Sequence, residues 1–180
     1  MPDLSDNPDR YGVISRTLHW GMAALFAAQF LSAGARLTLP RGDTFRELLW
    51  SYHHTLGVTL FLLVLLRGAW GLANMRRRPP AHTGLIGQAA TAGHVAIYAL
   101  MVIVPVAALA AEAGDIRGFS YLGIEIFPPR ETRVASLQAL EEWHATLGWI
   151  VGLLVLGHIA MAVGWHHLIK RDGSLERMSG

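Results

Sequence analysis

Apolar residues along the chain concentrate in four long runs separated by shorter polar connections. The runs extend approximately over residues 14–35, 48–73, 92–111 and 143–165. Each approaches the roughly 20 mostly apolar residues that an α-helix needs to cross the hydrocarbon of a bilayer. Because that hydrocarbon offers no water to backbone N–H and C=O groups, such runs form helices. The pattern predicts an all-α integral membrane four-helix bundle, with residues 1–180 forming a single domain.

The connections between the runs contain proline, glycine and charged residues. They read LPRGDTF, NMRRRPPAHTG and, at greater length, DIRGFSYLGIEIFPPRETR, and all three are predicted to be loops. His82, in the second connection, is expected to be solvated. Pro105 lies within the third run, where it should kink the helix without ending it.

Composition supports a membrane protein and directs attention to histidine. The chain is 52% hydrophobic and 16% charged, whereas soluble domains carry about 25% charged residues. Its formal net charge of +2 is too small to indicate a nucleic-acid partner. The absence of cysteine excludes disulfides, zinc–thiolate sites, iron–sulfur clusters and covalently attached c-type haem. Nine histidines in so apolar a chain are the feature that calls for an explanation.

The distribution of arginine and lysine predicts the orientation in the membrane. An arginine triplet at residues 76–78 lies in the second connection without an acid, and the C-terminal tail carries three further basic residues. The third connection has three arginines against six acids between Glu112 and Glu142. Both termini are therefore predicted to be cytoplasmic. The bias is small, since the first connection also carries three arginines.

A competing interpretation concerns the first run. Arg10 and Arg16, the apolar stretch and the small residues at 33–35 together have the order of a cleaved signal peptide. Three aspartates precede the apolar stretch, however, and His19 lies at its start. Neither feature suits a signal peptide, so the first run is predicted to be a retained helix.

Two of the predicted helices open with the same motif. HHTLG begins at His53 and HATLG begins at His144, and both read H-x-T-L-G. The alignment pairs His53, not His54, with His144. Because residues i and i+4 share a helix face, Gly57 and Gly148 leave bare backbone beside each histidine, as a flat macrocycle requires. Both glycines are equally compatible with close helix packing.

A repeated spacing places histidines at two depths of the membrane. His144 and His158 are 14 residues apart, which is about 21 Å of rise and close to a whole number of helical turns. Arg67 follows His53 at the same spacing, and His19 opens the first helix at about the depth of His158. The outer level thus offers His53 and His144, and the inner level offers His19 and His158.

Two histidine pairs at two depths suit two bis-histidine b-type haems, because imidazole is a common axial ligand of haem iron. Arg67, and Arg16 one turn before His19, are candidates for binding the haem propionates. The alternatives are hydrogen-bonded packing histidines and an Arg67 that extends to the membrane surface. Ionisable groups at membrane depth are nevertheless usually functional.

The remaining histidines of the helical regions have less specific predicted roles. His54 is expected to be an interface residue. His94, at the start of the third helix, has no partner at the 14-residue spacing, so it is assigned to packing or to a quinone or substrate pocket. His166 and His167 are expected just past the fourth helix, as an interfacial cap with a possible part in proton handling.

These motifs resemble those of the bacterial cytochrome b561 family. The matching stretches are SRTLHW, HHTLG, LLRGAW, GHVAIYALMVIVP, EEWHATLG, LGHIAMA and HHLIKRDGSLERM, and the resemblance covers nearly the whole chain. Members are small four-helix dihaem proteins of the inner membrane, related to the cytochrome b subunits of nickel–iron hydrogenases and formate dehydrogenases. The resemblance implies that His19 pairs with His158 and His53 with His144, and it favours a quinone or substrate role for His94.

The function implied by the resemblance is transmembrane electron transfer. Some compact members are similar to superoxide:ubiquinone oxidoreductases, which implies an enzyme with superoxide and ubiquinone as substrates. The first alternative is a haem-bearing anchor subunit that docks a soluble dehydrogenase or hydrogenase as its redox partner. The second is a membrane protein without redox function, such as a haem-handling or small transport protein. The short loops favour the free-standing oxidoreductase over the anchor.

Overall fold

The fold is mostly helical, and four of its helices are long. This computed structural model describes residues 3–79 and 83–180, so His82 lies outside the described residues. The helices are α1 (Val13–Thr38), α2 (Thr44–Ser51), α3 (His53–Ala73), α4 (Gly84–Ala113), α5 (Ala135–Gln138), α6 (Leu140–Ile159) and α7 (Glu176–Ser179). A π-helical segment, Ala160–Lys170, continues α6. Two short strands, β1 (Phe119–Tyr121) and β2 (Ile124–Phe127), lie between α4 and α5.

Three helical segments within the described residues are long and apolar enough to cross a membrane. They are Thr44–Ala73, Gly84–Ala113 and Ala135–Lys170. The remaining predicted span is the first apolar run of the sequence. It corresponds to α1, which is long enough at 26 residues. It does not meet the same standard of apolarity, because His19 and Gln29 interrupt its apolar run.

Several helix bounds differ from those expected from the sequence. The second apolar run is divided at Tyr52 into α2 and α3, and the side chain of Asp43 caps α2 by accepting a hydrogen bond from the Arg46 backbone N–H. The third run begins at Gly84, about two turns before the expected start. Pro105 lies inside α4, which continues to Ala113. A proline thus interrupts the hydrogen-bond pattern there without ending the helix.

The prediction that His166 and His167 lie beyond the fourth helix is wrong. The helix does not end near residue 165 but changes its hydrogen-bond pattern at Ala160 and continues as a π-helix to Lys170. π-Helical turns are rare and are frequently found at functional sites. Both histidines therefore project from helical backbone.

The prediction that the whole third connection is a loop is also wrong. Strands β1 and β2 pair in an antiparallel hairpin, joined by Leu122 and Gly123, which both have positive φ. Such a two-residue turn matches the twist of the flanking strands. The hydroxyl groups of Tyr121 and Thr59 lie 3.0 Å apart and hydrogen-bond the hairpin to α3. We call this end of the helices the hairpin end.

The C-terminal segment folds back over the opposite end, which we call the tail end. The indole N–H of Trp20 donates to the Met178 carbonyl at 3.0 Å, and the Tyr11 N–H donates to the Arg177 carbonyl at 3.1 Å. His166 Nδ1 contacts Asp172 Oδ2 at 2.7 Å. These contacts fix the tail against the first residues of α1.

One apolar core lies between the four long helices. Its buried members are Met22 on α1, Leu60 and Val64 on α3, Met101 on α4 and Val151 on α6. Helix α1 packs mainly on α3, and α4 packs mainly on α6. Many large apolar side chains on the outside of these helices are exposed, as lipid-facing residues are. The core fixes the relative positions of the histidines that the four helices carry.

Candidate functional site

Two histidines from different helices face each other at the hairpin end. His53 is the first residue of α3 and His144 lies in the first turns of α6. Their ring centroids are 6.2 Å apart and the ring planes are nearly perpendicular, at 88°. A metal ion bound by two imidazole nitrogens at about 2 Å each keeps the ring centres roughly 6 Å apart. The pair is therefore spaced as two axial ligands of one ion would be.

A second pair with the same spacing lies at the tail end. The ring centroids of His19 on α1 and His158 on α6 are 6.2 Å apart, with the planes at 80°. His94 on α4 lies closer still to His158, at 5.1 Å between centroids. The structure thus brings together both of the pairs expected from the sequence, and it adds a third histidine to the tail-end pair.

The hydrogen bonds of the ring nitrogens indicate which nitrogen is available to a ligand. His144 Nδ1 lies 3.0 Å from the Val104 carbonyl oxygen, and His94 Nδ1 lies 2.7 Å from that of Ala90. A carbonyl only accepts hydrogen bonds, so both rings carry their proton on Nδ1. Nε2 then presents its lone pair, which is the form of neutral imidazole that binds a metal.

His53 is held from three sides. It is only 7% exposed, and the indole of Trp50 stacks on its ring with centroids 4.4 Å apart and planes at 19°. The Ser32 hydroxyl oxygen lies 2.7 Å from Nδ1, and the side-chain amide nitrogen of Gln29 lies 3.2 Å from Nε2. The Arg36 guanidinium covers the Trp50 ring at 3.8 Å. This packing gives the His53 ring one orientation.

His54 points to a different environment from its neighbour. Its Nε2 lies 3.7 Å from Glu112 Oε1, and its ring meets Phe119 of the hairpin edge to face. The side chain is about half exposed, at 49%. His53 and not His54 faces His144, which is the difference that the H-x-T-L-G alignment predicts.

Two arginines lie near the tail-end histidines. Arg67 approaches the Tyr98 ring at 5.5 Å, and its charge acts on both His19 and His158. Arg16 has a buried Nε–H with no hydrogen-bond partner among the described residues. A buried donor without an acceptor is costly, and the carboxylate of a haem propionate would supply one. Both arginines therefore fit the propionate-binding role expected from the sequence.

The glycines of the two motifs have different surroundings. A side chain at Gly57 would meet the amide nitrogen of Gln29 at 3.3 Å, whereas one at Gly148 would meet nothing within 4 Å. Gly57 thus allows the close approach of Gln29 from α1. Gly148 leaves open space next to His144, as the macrocycle interpretation requires.

The donor set suits a macrocycle-bound iron better than a bare metal ion. Within residues 3–79 and 83–180, no three or more His, Asp or Glu side chains are arranged to hold a metal ion. The haem macrocycle itself provides four nitrogen ligands to the iron, so the protein needs to provide only the axial ligands. Each end of the helices has two histidines at the appropriate distance. Open space lies beside His144 at the hairpin end, and the buried, unpaired Nε–H of Arg16 belongs to the tail end.

Sequence reasoning missed three residues around His53: Gln29, Ser32 and Trp50. Gln29 and Ser32 are polar residues inside an apolar run, three positions apart and so on one helix face. Two polar residues on one face of an apolar helix could have indicated that this face contacts a polar group. Trp50 lies three positions before His53 in the same predicted run, so the same spacing was the signal for it.

Comparisons with known proteins agree with these observations. The chain matches the family described as "Prokaryotic cytochrome b561" over residues 10–180. It is 28% identical to "Cytochrome b561 homolog 2" of Escherichia coli (strain K12) over 179 residues, covering 98% of this chain and 95% of that protein. It is 23% identical to "Cytochrome b561 homolog 1" of the same organism over 177 residues, covering 94% of this chain and 97% of that protein.

Proposed function

The chain belongs to the prokaryotic cytochrome b561 family, a family of membrane redox proteins, and from that premise we propose that it transfers electrons across the bacterial inner membrane through two bis-histidine haem b groups. The observation that carries the proposal is the pair of 6.2 Å histidine separations, one at each end of the helices. A four-helix membrane bundle is the architecture we propose to hold them, with α1 packed on the three apolar helices.

When bound, haem b supplies reversible one-electron chemistry at its iron. His53 with His144 would hold one haem, and His19 with His158 would hold the other. Hydrogen bonds on Nδ1, such as the one from His144 to Val104, fix the ligand tautomer and the ring orientation. Arg67 and Arg16 would bind the propionates at the tail end, and the buried core residues between the two pairs keep water out.

We propose that the hairpin end faces outwards and that the tail end is cytoplasmic, with both termini inside. The arginine triplet at 76–78 and the basic residues of the C-terminal segment support this orientation under the positive-inside rule. The acids of the third connection, among them Asp115 and Glu112, lie at the other end. Asp115 forms an ion pair with Arg117 at 2.9 Å, whose hydrogen bond holds the pKa of that carboxyl below its usual range.

The overall reaction that we propose is the oxidation of superoxide at the outer end and the reduction of ubiquinone at the inner end. Two superoxide ions each give up one electron and become two dioxygen molecules. One quinone takes up the two electrons together with two protons and becomes the quinol. His94 is exposed, and its ring centroid lies 5.1 Å from that of His158. Once its Nε2 has taken up a proton, the ring is able to hydrogen-bond a quinone oxygen and pass it that proton.

Purified protein tests this proposal in two steps. A pyridine hemochrome assay should give two haem b per chain. Superoxide should then reduce the protein, and a ubiquinone analogue should reoxidise it without any added partner. A chain without haem b contradicts the electron-transfer proposal itself. A dihaem protein that superoxide does not reduce contradicts only the proposed electron donor.

The haem-bearing anchor subunit remains a second candidate because of one observation, the β-hairpin. Its tip exposes apolar side chains, with Leu122 at 72% and Ile124 at 65%. A docking subunit needs such additional surface, and the loop-only connection predicted from the sequence would not supply it. Protein that contains both haems, but exchanges electrons with quinone only when a partner is co-purified, would favour this candidate.

A further inference from the structure

The hydrogen bonds around His53 determine its tautomer. The side-chain amide nitrogen of Gln29 lies 3.1 Å from the backbone carbonyl oxygen of His53. It therefore must be the NH₂ group, which donates to that carbonyl. The same NH₂ group lies 3.2 Å from His53 Nε2, and a second donor cannot face it. His53 Nε2 thus carries the lone pair, and the proton of the neutral ring is on Nδ1.

Ser32 completes this arrangement from the other side of the ring. Its hydroxyl oxygen lies 2.7 Å from His53 Nδ1 and 2.7 Å from the Gln29 backbone carbonyl oxygen. Since Nδ1–H is a donor, the Ser32 oxygen accepts its hydrogen bond, and the single hydroxyl proton goes to the Gln29 carbonyl. Every donor then meets an acceptor. Ser32 is 1% exposed, so water does not compete for these bonds.

We propose that Ser32 is a positioning residue that holds His53 in the Nδ1–H tautomer, which keeps the Nε2 lone pair available to bind the outer haem once the Gln29 amide turns away. This inference rests on the proposed function, since it assigns Ser32 a part in ligand binding by His53. Trp50 fixes the plane of the ring by stacking, while Ser32 fixes its rotation and proton position. Hydrogen bonding at the second nitrogen also increases the basicity of a histidine ligand.

The role of Gln29 follows from the same geometry. Its amide caps the His53 lone pair at the position that iron would take, and its Oε1 is buried without a hydrogen-bond partner among the described residues. Binding of iron at Nε2 therefore requires the amide to turn away. Gly57 gives the amide room beside α3, because a side chain there would meet it at 3.3 Å.

The test compares Ser32→Ala with Ser32→Thr and with the control Ser15→Ala. Ser15 is likewise a buried serine of α1, but it accepts a hydrogen bond from Trp70 and does not contact His53. Loss of the acceptor should raise the midpoint potential of the outer haem, because a less basic ligand stabilises ferric iron less. Haem should also dissociate from that site about 10-fold faster or more. Ser32→Thr should restore both values, and the control should leave the outer haem unchanged.

An outer-haem potential in Ser32→Ala equal to that of the wild type, or equal shifts of both haems, would overturn the proposal. Should Ser32→Ala fail to accumulate, the wild-type protein provides a second measurement. In spectra of the reduced protein labelled with ¹⁵N-histidine, the Nδ1 proton of His53 should exchange as slowly as that of His144, and rapid exchange would contradict the hydrogen bond. Failure of the proposed function is distinguishable, since the wild-type protein would then lack the outer haem.

Discussion

His53 at the start of α3 and His144 in the first turns of α6 face each other with their ring centroids 6.2 Å apart. The same separation recurs between His19 and His158 at the other end of the helices. In the first pair, the histidine selected by the repeated motif faces its counterpart, while the adjacent His54 faces Glu112. These relationships make the ligand assignments testable residue by residue.

Substitution of His53 should remove one haem, whereas substitution of its neighbour should not. His53→Ala deletes one of the two rings that are spaced for axial ligation, so the haem content should fall from two to about one per chain. His54→Ala removes a half-exposed ring that contacts Glu112 and Phe119 but does not face His144, and it serves as the matched control. The measurement is the pyridine hemochrome of both purified variants. Equal haem content in the two variants would show that the H-x-T-L-G alignment assigned the wrong histidine.

Substitution of His158 should affect the tail end alone. His158→Ala removes the ring shared by the 6.2 Å contact with His19 and the 5.1 Å contact with His94. The low-spin electron paramagnetic resonance signal of the tail-end haem should disappear, and the other haem signal should remain. His53→Ala provides the reference spectrum for assigning the two signals. Preferential loss of the His53–His144 haem would show that the two levels are inverted.

His94 should prove separable from the ligands despite its short distance to His158. In His94→Ala we expect both haems to remain, because His19 supplies the second axial nitrogen. Reduction of a ubiquinone analogue should slow by roughly 10-fold or more, since a positioned proton donor is lost. Thr91→Ala, one turn earlier on the same helix, is the control. Loss of the tail-end haem in His94→Ala would mean that His94, and not His19, pairs with His158.

The C-terminal segment should detach in acid. A hydrogen bond from the Ser174 hydroxyl and another from His166 hold the pKa of Asp172 below its ordinary value of 3.8. Hydrogen bonds from the backbone N–H of Glu176 and from the His167 side chain hold the pKa of the Glu176 carboxyl below its ordinary value of 4.5. A carboxyl whose pKa is lower in the folded chain stabilises it above the ordinary value, and this contribution is lost as the pH falls through the lowered value. Docking should therefore be complete at neutral pH and weaken below about pH 4.

Because the chain has no cysteine, a spin label at Ser179→Cys reports on the tail alone. Its mobility should increase as the pH falls below about 4. Adding Asp172→Asn should mobilise the label already at neutral pH, while Glu131→Gln, on the far connection, should not. A label that stays immobile through the whole acid range would exclude the His–carboxylate contacts as the restraint.

The sequence predicts those parts of the site that depend on helical periodicity. His144 and His158 lie on one helix face because both belong to α6, where 14 residues approximate a whole number of turns. The Ser32–His53 contact could not be predicted, because it joins residues of different helices and depends on how α1 packs against α3. Trp50 differs in this respect, because it lies only three positions before His53, a spacing that places two side chains on one helix face.

The elements that the sequence did not predict are those whose backbone hydrogen bonds depend on context. The strand Ile124–Phe127 is only four residues long, too short for periodicity to separate a strand from a loop. The π-helical segment Ala160–Lys170 has the composition of an ordinary apolar helix, and no residue type marks the change of hydrogen-bond partner. The helices extend further than predicted, to Gly84 at one bound and to Lys170 at another, because polar residues do not end a helix by themselves.

The tip of the hairpin combines a strained backbone conformation with an exposed apolar side chain. Leu122 has a φ of 50°, a left-handed conformation that costs a branched apolar residue about 1 kcal/mol, and that asparagine or glycine adopts readily. Leu122→Asn would therefore relieve the backbone strain of the turn and replace an exposed apolar side chain with a polar one. The chain thus carries an apolar side chain at a strained and exposed turn position, which is the kind of surface that the anchor-subunit candidate would use to dock a partner.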